Sequence, residues 1–229
     1  MLNSSDILDA IDKLENLIDN KDYNNCSKQD KIAYSNELHA LHILYNISCM
    51  HNDNEITKPK KRISRIEKEK VIPNHDENKY YIYTDGGCDR GSHNTVGAWS
   101  ICIVKGSDVI HEDSAYVYDT TNNVMEMTAC YNALDFIRNH NEIDNAVIIS
   151  DSQYVIKGIT SWIGNWIKNN WITSTKEPVK NKELWIKLLE HSKDLNVTWQ
   201  WVKGHNGNIY NERCDELCTS AIDIGRSYK

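Results

Sequence analysis

The sequence predicts an α/β domain built on one mixed β-sheet with helices on both faces, and three observations support this fold class. Three alternating apolar stretches follow one another with short breaks between residues 80 and 118. Two later short apolar stretches alternate with helical patterns. Strands joined by short turns run antiparallel, whereas strands joined through a helix run parallel. The expected five-stranded sheet therefore has three antiparallel strands followed by two parallel ones.

Each element follows from hydrophobic periodicity and the breaks between periodic segments. The predicted strands are Tyr80–Thr84, Gly97–Val104, Val109–Tyr118, Ala146–Ser150 and Val197–Val202. The predicted helices are Met125–Arg138, Gln153–Ile159, Trp162–Lys168, Lys182–Ser192 and Glu212–Ile222. Together they define a compact domain over residues 77–229.

The first third of the chain has a different composition. Residues 1–50 predict an acidic helical hairpin, because Ile7, Leu8, Ile11 and Leu14 recur at helical spacing before a polar break. Two helices cannot bury both faces alone, so a protein partner, a second copy or the main domain is expected to cover them. Residues 51–76 predict a linker that is basic between Lys58 and Lys70. It is interpreted either as a solvated tether or as an arm that lies along phosphates.

The composition of the chain excludes several classes of function. With 229 residues and a net charge of -7, the chain is not a generic polyanion binder, so positive charge must be local and metal ions must offset its acids. The number of cysteines, 7, is odd, which indicates reduced thiols in an intracellular compartment, cytoplasmic or nuclear. No membrane-spanning run is found, and the acidic N-terminus is unlike a signal peptide. Cys214 and Cys218 beside His205 could form a zinc site, but packing of the last helix is the preferred interpretation.

Four acids at the edges of predicted elements carry the functional argument: Asp85, Glu126, Asp151 and Asp215. Hard oxygen ligands from separate segments are typical of a magnesium phosphodiesterase site, since clustered carboxylates repel one another unless a cation lies between them. His205, in a flexible glycine-flanked segment, could transfer a proton.

Every one of these residues also has a structural interpretation. Asp85 could form a turn, Asp151 could cap a helix, and Glu126 could interact favourably with the dipole of its helix. Asn122 and Asn123 could cap that same helix, and a loop histidine is often simply exposed to solvent. The functional case therefore depends on all of the residues together.

Five motifs resemble those of ribonuclease H type 1, in its bacterial form, over roughly Lys79 to Ser220. They are Asp151-Ser152-Gln153-Tyr154-Val155, Lys157-Gly158-Ile159-Thr160, Pro178-Val179-Lys180-Asn181, Trp201-Val202-Lys203-Gly204-His205 and Asn211-Glu212-Arg213-Cys214-Asp215-Glu216-Leu217. The resemblance implies a ribonuclease H-like fold and an endonuclease that cuts the RNA strand of RNA/DNA hybrids, leaving 3′-hydroxyl and 5′-phosphate ends. It implies two Mg²⁺ ions, or Mn²⁺, held by the four acids, with His205 as a mobile catalytic histidine.

The same resemblance implies a set of substrate contacts. Minor-groove recognition of the hybrid is expected from polar residues, and a deoxyribose of the DNA strand is expected to pack on an aromatic ring. The residues implied are Cys88, Asn122, Asn123, Gln153, Trp162 and Asn211. Trp162 could equally belong to the core.

Two departures separate this chain from the family pattern. The loop from Cys88 to Gly97 lacks the usual Asn, Pro and Gly residues, and Asp89 adds a negative charge near the expected phosphates. The protrusion from Ile163 to Trp171 carries one lysine where the family is rich in basic residues. We hypothesise that the Lys58–Lys70 arm supplies the missing charge, so that deleting residues 1–76 raises KM and flattens the salt dependence.

Three other functions remain open from the sequence. One is a hybrid-binding module without catalysis, which the complete set of acids opposes. Another is a different nuclease of the superfamily, such as a Holliday-junction resolvase or an integrase core. A scaffolding role for residues 1–50 would be compatible with catalysis elsewhere.

Overall fold

The computed structural model describes residues 10, 13, 70–89 and 95–227. The chain divides into two compact units, Met1–Arg65 and Ile66–Lys229. The predicted hairpin, apart from Ala10 and Lys13, lies outside the described residues, as do residues 51–69 of the predicted linker. Residues 70–76, which the sequence assigned to the linker, are part of the second unit, where Val71 pairs with Asn208.

A five-stranded mixed sheet forms the centre of the second unit, which confirms the predicted fold class. The strands are β1 (Tyr80–Cys88), β2 (Val96–Lys105), β3 (Asp108–Tyr118), β4 (Ala146–Ser150) and β5 (Val197–Trp201). Their order in the sheet is β3-β2-β1-β4-β5. β1, β2 and β3 pair antiparallel, whereas β4 pairs parallel with both β1 and β5.

Five α-helices accompany the sheet within the described residues. They are α1 (Asn122–Asn139), α2 (Gln153–Lys157), α3 (Ile163–Lys168), α4 (Lys182–Ser192) and α5 (Ile209–Ser227). A π-helical turn, Gly158–Trp162, joins α2 to α3, so the two predicted helices form one continuous run. Gly158 lies against the buried ring of Trp185, and a side chain at residue 158 would overlap that ring.

The core has two layers because β1 and β4 alternate between the faces of the sheet. Ile82 and Ile148 point to the layer shared with α1 and α4, which also contains the fully buried Trp185. Tyr83 and Ile149 point to the opposite layer, which α5 covers. The sheet is therefore buried on both faces, as expected for strands that read as continuous apolar runs.

Near the predicted acids, three element boundaries differ from the prediction by three or more residues. β1 continues past Thr84 to Cys88, because its residues stay paired with β2 through Gly86 and Gly87. α1 begins at Asn122 and α5 at Ile209, each three residues before the predicted start. Glu126 and Asp215 consequently lie in the second turns of their helices.

Candidate active site

Three of the predicted acids meet where the parallel pairing of β1 and β4 ends. Thr84 of β1 and Ser150 of β4 are paired neighbours in a parallel ladder, and each is followed by an aspartate. Asp85 and Asp151 are therefore brought side by side, and α1 supplies Glu126 from above the sheet. One carboxylate oxygen from each of these three residues lies within 4.8 Å of the other two. α/β sheets commonly bind ligands at the carboxyl ends of their parallel strands, and the three acids lie at this end of β4.

The approach of Glu126 depends on a glycine in β1. A Cβ atom at Gly86 would overlap the backbone nitrogen of Glu126 and the carbonyl carbon of Met125. The absence of a side chain at residue 86 lets the second turn of α1 touch the strand directly. Gly86 therefore sets the distance between the Glu126 carboxylate and the two aspartates.

The electrostatics of this group favour a bound cation. Burial, followed by repulsion from Asp151 and Asp215, raises the pKa of Asp85 to about 7. Burial and the charges of Asp85 and Asp151 likewise raise the pKa of Glu126 well above its usual value. The Oε2 atom of Glu126 is buried and has no hydrogen-bond partner among the described residues. A buried acceptor of this kind is costly unless a cation or a proton compensates it.

Asp151 is held in place from three directions. The Nδ2 atom of Asn211 donates to its Oδ2 atom at 3.3 Å. The indole Nε1 of Trp201 donates to its backbone carbonyl at 3.0 Å. A side chain at Gly204 would overlap the Asp151 carboxylate, so the backbone of the β5–α5 loop packs directly on it. The helix cap is Ser152, whose hydroxyl accepts from the backbone N–H of Val155, and this leaves the Asp151 carboxylate available for another role.

Asp215 and His205 form the outer part of the site. The Nδ1 atom of His205 lies 3.7 Å from Oδ2 of Asp215, and both side chains are about half exposed. Asp215 is not in the group of three close carboxylates, although its charge contributes to the raised pKa of Asp85. His205 has a positive φ of 50°, which places the ring on a tight turn at the surface. The predicted residues thus form a half-buried acidic group with a half-exposed histidine–aspartate pair beside it.

Comparison with known proteins decides the family. A family model described as RNase H matches residues 77–223. The chain belongs to the ribonuclease H family.

Its relatives agree with a type 1 assignment. The chain is 44% identical to a ribonuclease H of Geotalea uraniireducens over 151 residues, covering 66% of this chain and 99% of the relative. It is 46% identical to a ribonuclease H of Clostridium botulinum over 147 residues, covering 63% and 96%. Among solved structures it is similar to LC11-RNase H1 in complex with an RNA/DNA hybrid, with 25% identity, a TM-score of 0.50 and coverage of 64% and 99%. This ribonuclease H is therefore a hydrolytic nuclease by family.

The candidate substrate contacts of this ribonuclease H differ in exposure. Gln153 and Asn123 are exposed, whereas Asn122 and Cys88 are half-buried. The cap of α1 is Thr121, whose hydroxyl accepts from the N–H of Val124, so neither asparagine is needed for capping.

Trp162 and Asn211 differ most in their exposure to solvent. Trp162 is 37% exposed and packs by its edge on Tyr154, so it is a surface aromatic rather than a core residue. Asn211 is 2% exposed, and its side-chain amide contacts Asp151 of the acidic group.

The charge of Asp89 is compensated within the ribonuclease H domain. Its Oδ2 atom pairs with Nε of Arg226 at 3.1 Å, and its Oδ1 atom accepts from the N–H of Val96 at 3.0 Å. Asp89 thus ties the end of β1 to β2 and α5, and the added negative charge expected near phosphates is neutralised by Arg226. Residues 90–94 of the same loop lie outside the described residues.

The cysteines behave as packing residues. Cys214 and Cys218 are buried on the inner face of α5, and burial raises the pKa of both thiols. Within the described residues, the acidic group is the one set of three or more potential ligands close enough to hold a metal ion. The zinc alternative therefore has no geometric support in this part of the chain. No described helix combines the length and apolar character needed to cross a bilayer.

Two supporting residues were missed in the sequence. Gly86 has a role in helix packing for which the sequence carries no local signal. Trp201 could have been found, because it ends a strand that runs parallel to β4 and pairs with Ser150, the residue before Asp151.

Proposed function

We propose that this ribonuclease H cleaves the RNA strand of RNA/DNA hybrids with two divalent metal ions, leaving 3′-hydroxyl and 5′-phosphate ends. The observation that carries the proposal is the buried, unpartnered Oε2 atom of Glu126 in a group of three carboxylates within 4.8 Å. Such a donor set suits Mg²⁺ or Mn²⁺, which prefer oxygen ligands. The hybrid bound to LC11-RNase H1 supports the substrate class.

The residues present fit the metal ions that the family implies. Asp85, Glu126 and Asp151 would hold them, with Asp215 completing the set from the rim. Bound there, the ions supply an activated water and stabilise the negative charge that develops at phosphorus and on the leaving oxygen.

The protein residues position the reactants around that centre. Asn211 and Trp201 fix the orientation of Asp151, so that its carboxylate does not need to reorganise during the reaction. His205, exposed beside Asp215, can transfer a proton between the reacting group and solvent. The acids thus provide the electrostatic part of the mechanism, and His205 provides the proton transfer.

Substrate recognition would occur along the surface that adjoins the acids. Asn122, Asn123 and Gln153 offer amide groups to the 2′-hydroxyls and base edges of a shallow minor groove. Cys88 offers its backbone to the RNA strand, and Trp162 offers an exposed ring to a deoxyribose. Residues 77–229 would form the catalytic domain, with residues 1–50 as an accessory hairpin.

A cleavage assay tests the proposal. The full chain is incubated with a labelled RNA/DNA hybrid, and separately with RNA/RNA, DNA/DNA and a four-way DNA junction, in Mg²⁺, in Mn²⁺ and in EDTA. We expect metal-dependent cutting of the hybrid's RNA strand alone, and none by Asp151→Asn. Hybrid binding without cutting would favour the binding-module alternative, and cutting of the junction would favour a resolvase.

A further inference from the structure

A segment outside the family domain lies against the loop that carries His205. Residues 70–76 precede the family match at 77–223. The N–H of Val71 donates to the carbonyl of Gly207 at 2.8 Å, and the N–H of Ile209 donates to the carbonyl of Val71 at 3.2 Å. The two bonds flank Asn208 as an isolated parallel bridge. The segment therefore holds the C-terminal end of the β5–α5 loop, two residues after His205.

His75 anchors the same segment to the domain. Its Nδ1 atom lies 3.0 Å from the carbonyl oxygen of Gly106, and its Nε2 atom lies 2.9 Å from the hydroxyl of Tyr83. A carbonyl can only accept, so Nδ1 carries the proton and the Tyr83 hydroxyl donates to Nε2. The imidazole also stacks on Tyr81, with centroids 3.9 Å apart and an interplanar angle of 12°. The ring is thus fixed by two directional bonds and by stacking on Tyr81 and Tyr210.

Val71 meets the domain at Asn208, the residue where the loop joins α5. The Oδ1 atom of Asn208 accepts from the N–H groups of Tyr210 at 3.1 Å and Asn211 at 3.2 Å, and so caps the helix. Val71 therefore holds the backbone on both sides of the residue that caps α5.

The segment contributes little apolar burial. Val71 is 52% exposed and Ile72 is 67% exposed, so their side chains add little to the core. Directional hydrogen bonds instead fix where the segment lies. The bonds of His75 end on Gly106 and on Tyr83 of β1, so His75 anchors the segment to the domain. The bonds of Val71 end on Gly207 and Ile209, so Val71 holds the end of the loop.

The loop itself is attached at its other end and bends in between. The N–H of Val202 donates to the carbonyl of Ser150 at 3.1 Å. His205 and Gly207 both have positive φ angles, 50° and 87°. His205 therefore lies on a bend between two attached ends, and release of one end would change where its ring points.

We propose that residues 70–76 act as a strap, through Val71 and His75, that positions the His205 loop for the hydrolytic reaction. The inference rests on the proposed function, because it assigns the strap a part in the same catalytic step. Val71 and His75 are positioning residues: they act through the loop and do not contact substrate.

Point variants in the full chain test the strap. Val71→Pro removes the N–H that donates to Gly207, and His75→Phe keeps a stacking ring but removes both hydrogen bonds. We expect each to lower kcat on the hybrid about tenfold with KM unchanged, as for a misplaced catalytic group. Ile72→Thr, altered at an exposed neighbouring side chain, is the matched control and should keep the wild-type kcat. Thermal unfolding of each variant verifies that the domain is folded.

A double-mutant comparison separates positioning from general stabilisation. In a His205→Ala background, Val71→Pro and His75→Phe should cause no further loss of kcat. Unchanged kcat in the single variants, or the same fold loss with and without His205, would overturn the strap. Failure of the wild-type protein to cut hybrid would instead overturn the proposed function, so the two failures are distinguishable.

Discussion

The side-chain amide of Asn211 donates to Oδ2 of Asp151 at 3.3 Å from a position that is 2% exposed. The bond joins α5 to the end of β4, two elements separated by 60 residues in the chain. It fixes one of the three clustered carboxylates. The orientation of Asp151 therefore depends on the start of α5 as well as on its own strand.

Asn211→Asp should lower kcat about ten- to hundredfold, as is typical when a residue that orients a metal ligand is changed. The substitution keeps the shape but replaces the donating amide with a fourth negative charge beside Asp151. Steady-state cleavage of the hybrid over a Mg²⁺ titration measures the effect, with Asn141→Asp in an exposed turn as control. Wild-type kcat and Mg²⁺ dependence in Asn211→Asp would contradict the assigned role.

The metal-free protein should lose thermal stability as pH rises from about 5 to about 8. The pKa of Asp85 is raised to about 7 in the folded state, above its unfolded value, so its protonated form favours folding. This contribution is fully present below the unfolded pKa and is lost as pH rises through about 7.

Saturating Mg²⁺ should remove most of that pH dependence, because the cation compensates the ionised carboxylates. Melting curves in EDTA and in Mg²⁺ at several pH values provide the measurement. Asp85→Asn should show a flatter curve in EDTA and no catalytic activity. A metal-free Tm that rises with pH over this range would show that the acids are not in repulsion.

Gly86→Ala should destabilise the fold by about 1–3 kcal/mol, because a methyl group there overlaps the backbone of α1. The matched control is Gly87→Ala, whose added methyl would lie 3.6 Å from Cδ1 of Ile222, an ordinary contact. Chemical denaturation of both variants measures the difference. Equal stability of the two would mean that α1 can move away from β1 at little cost.

Trp162→Ala should raise KM for hybrid about fivefold and leave kcat within about twofold, since a ring that packs on nucleic acid contributes to binding rather than chemistry. Ile167→Ala, on the adjoining helix and 48% exposed, controls for the loss of an exposed apolar side chain. Hybrid titrations at constant salt measure KM and kcat for both variants, Trp162→Ala and Ile167→Ala. A fall in kcat with unchanged KM would remove Trp162 from the substrate surface.

Deleting residues 1–69 should raise KM and reduce the salt dependence of hybrid binding, because it removes the basic residues from Lys58 to Lys68 that can neutralise phosphates. The strap stays in place, so kcat should be retained. A second deletion, of residues 1–76, also removes Val71 and His75 and should lower kcat as well. An unchanged KM and salt slope in the shorter deletion would refute the arm hypothesis.

The sequence by itself determined the fold class and identified the candidate site residues. The alternation in β1 and β4 is a local property of consecutive residues, and it predicts a sheet covered on both faces because successive side chains point to opposite sides. The identities of Asp85, Glu126, Asp151, Asp215 and His205 were likewise evident, since hard oxygen ligands and a titratable histidine are defined by residue type and motif.

Only the tertiary structure decided how these groups are held. The direct contact of α1 with Gly86 lies beyond the predicted end of the first strand, at Thr84. The sequence allowed Asp151 as a helix cap, but Ser152 has that role in the structure. The positions of Asn211 beneath Asp151 and of His75 against Tyr83 depend on contacts between distant segments, which no local pattern encodes. The raised pKa of Asp85 has the same origin, because burial and charge repulsion act through space rather than along the chain.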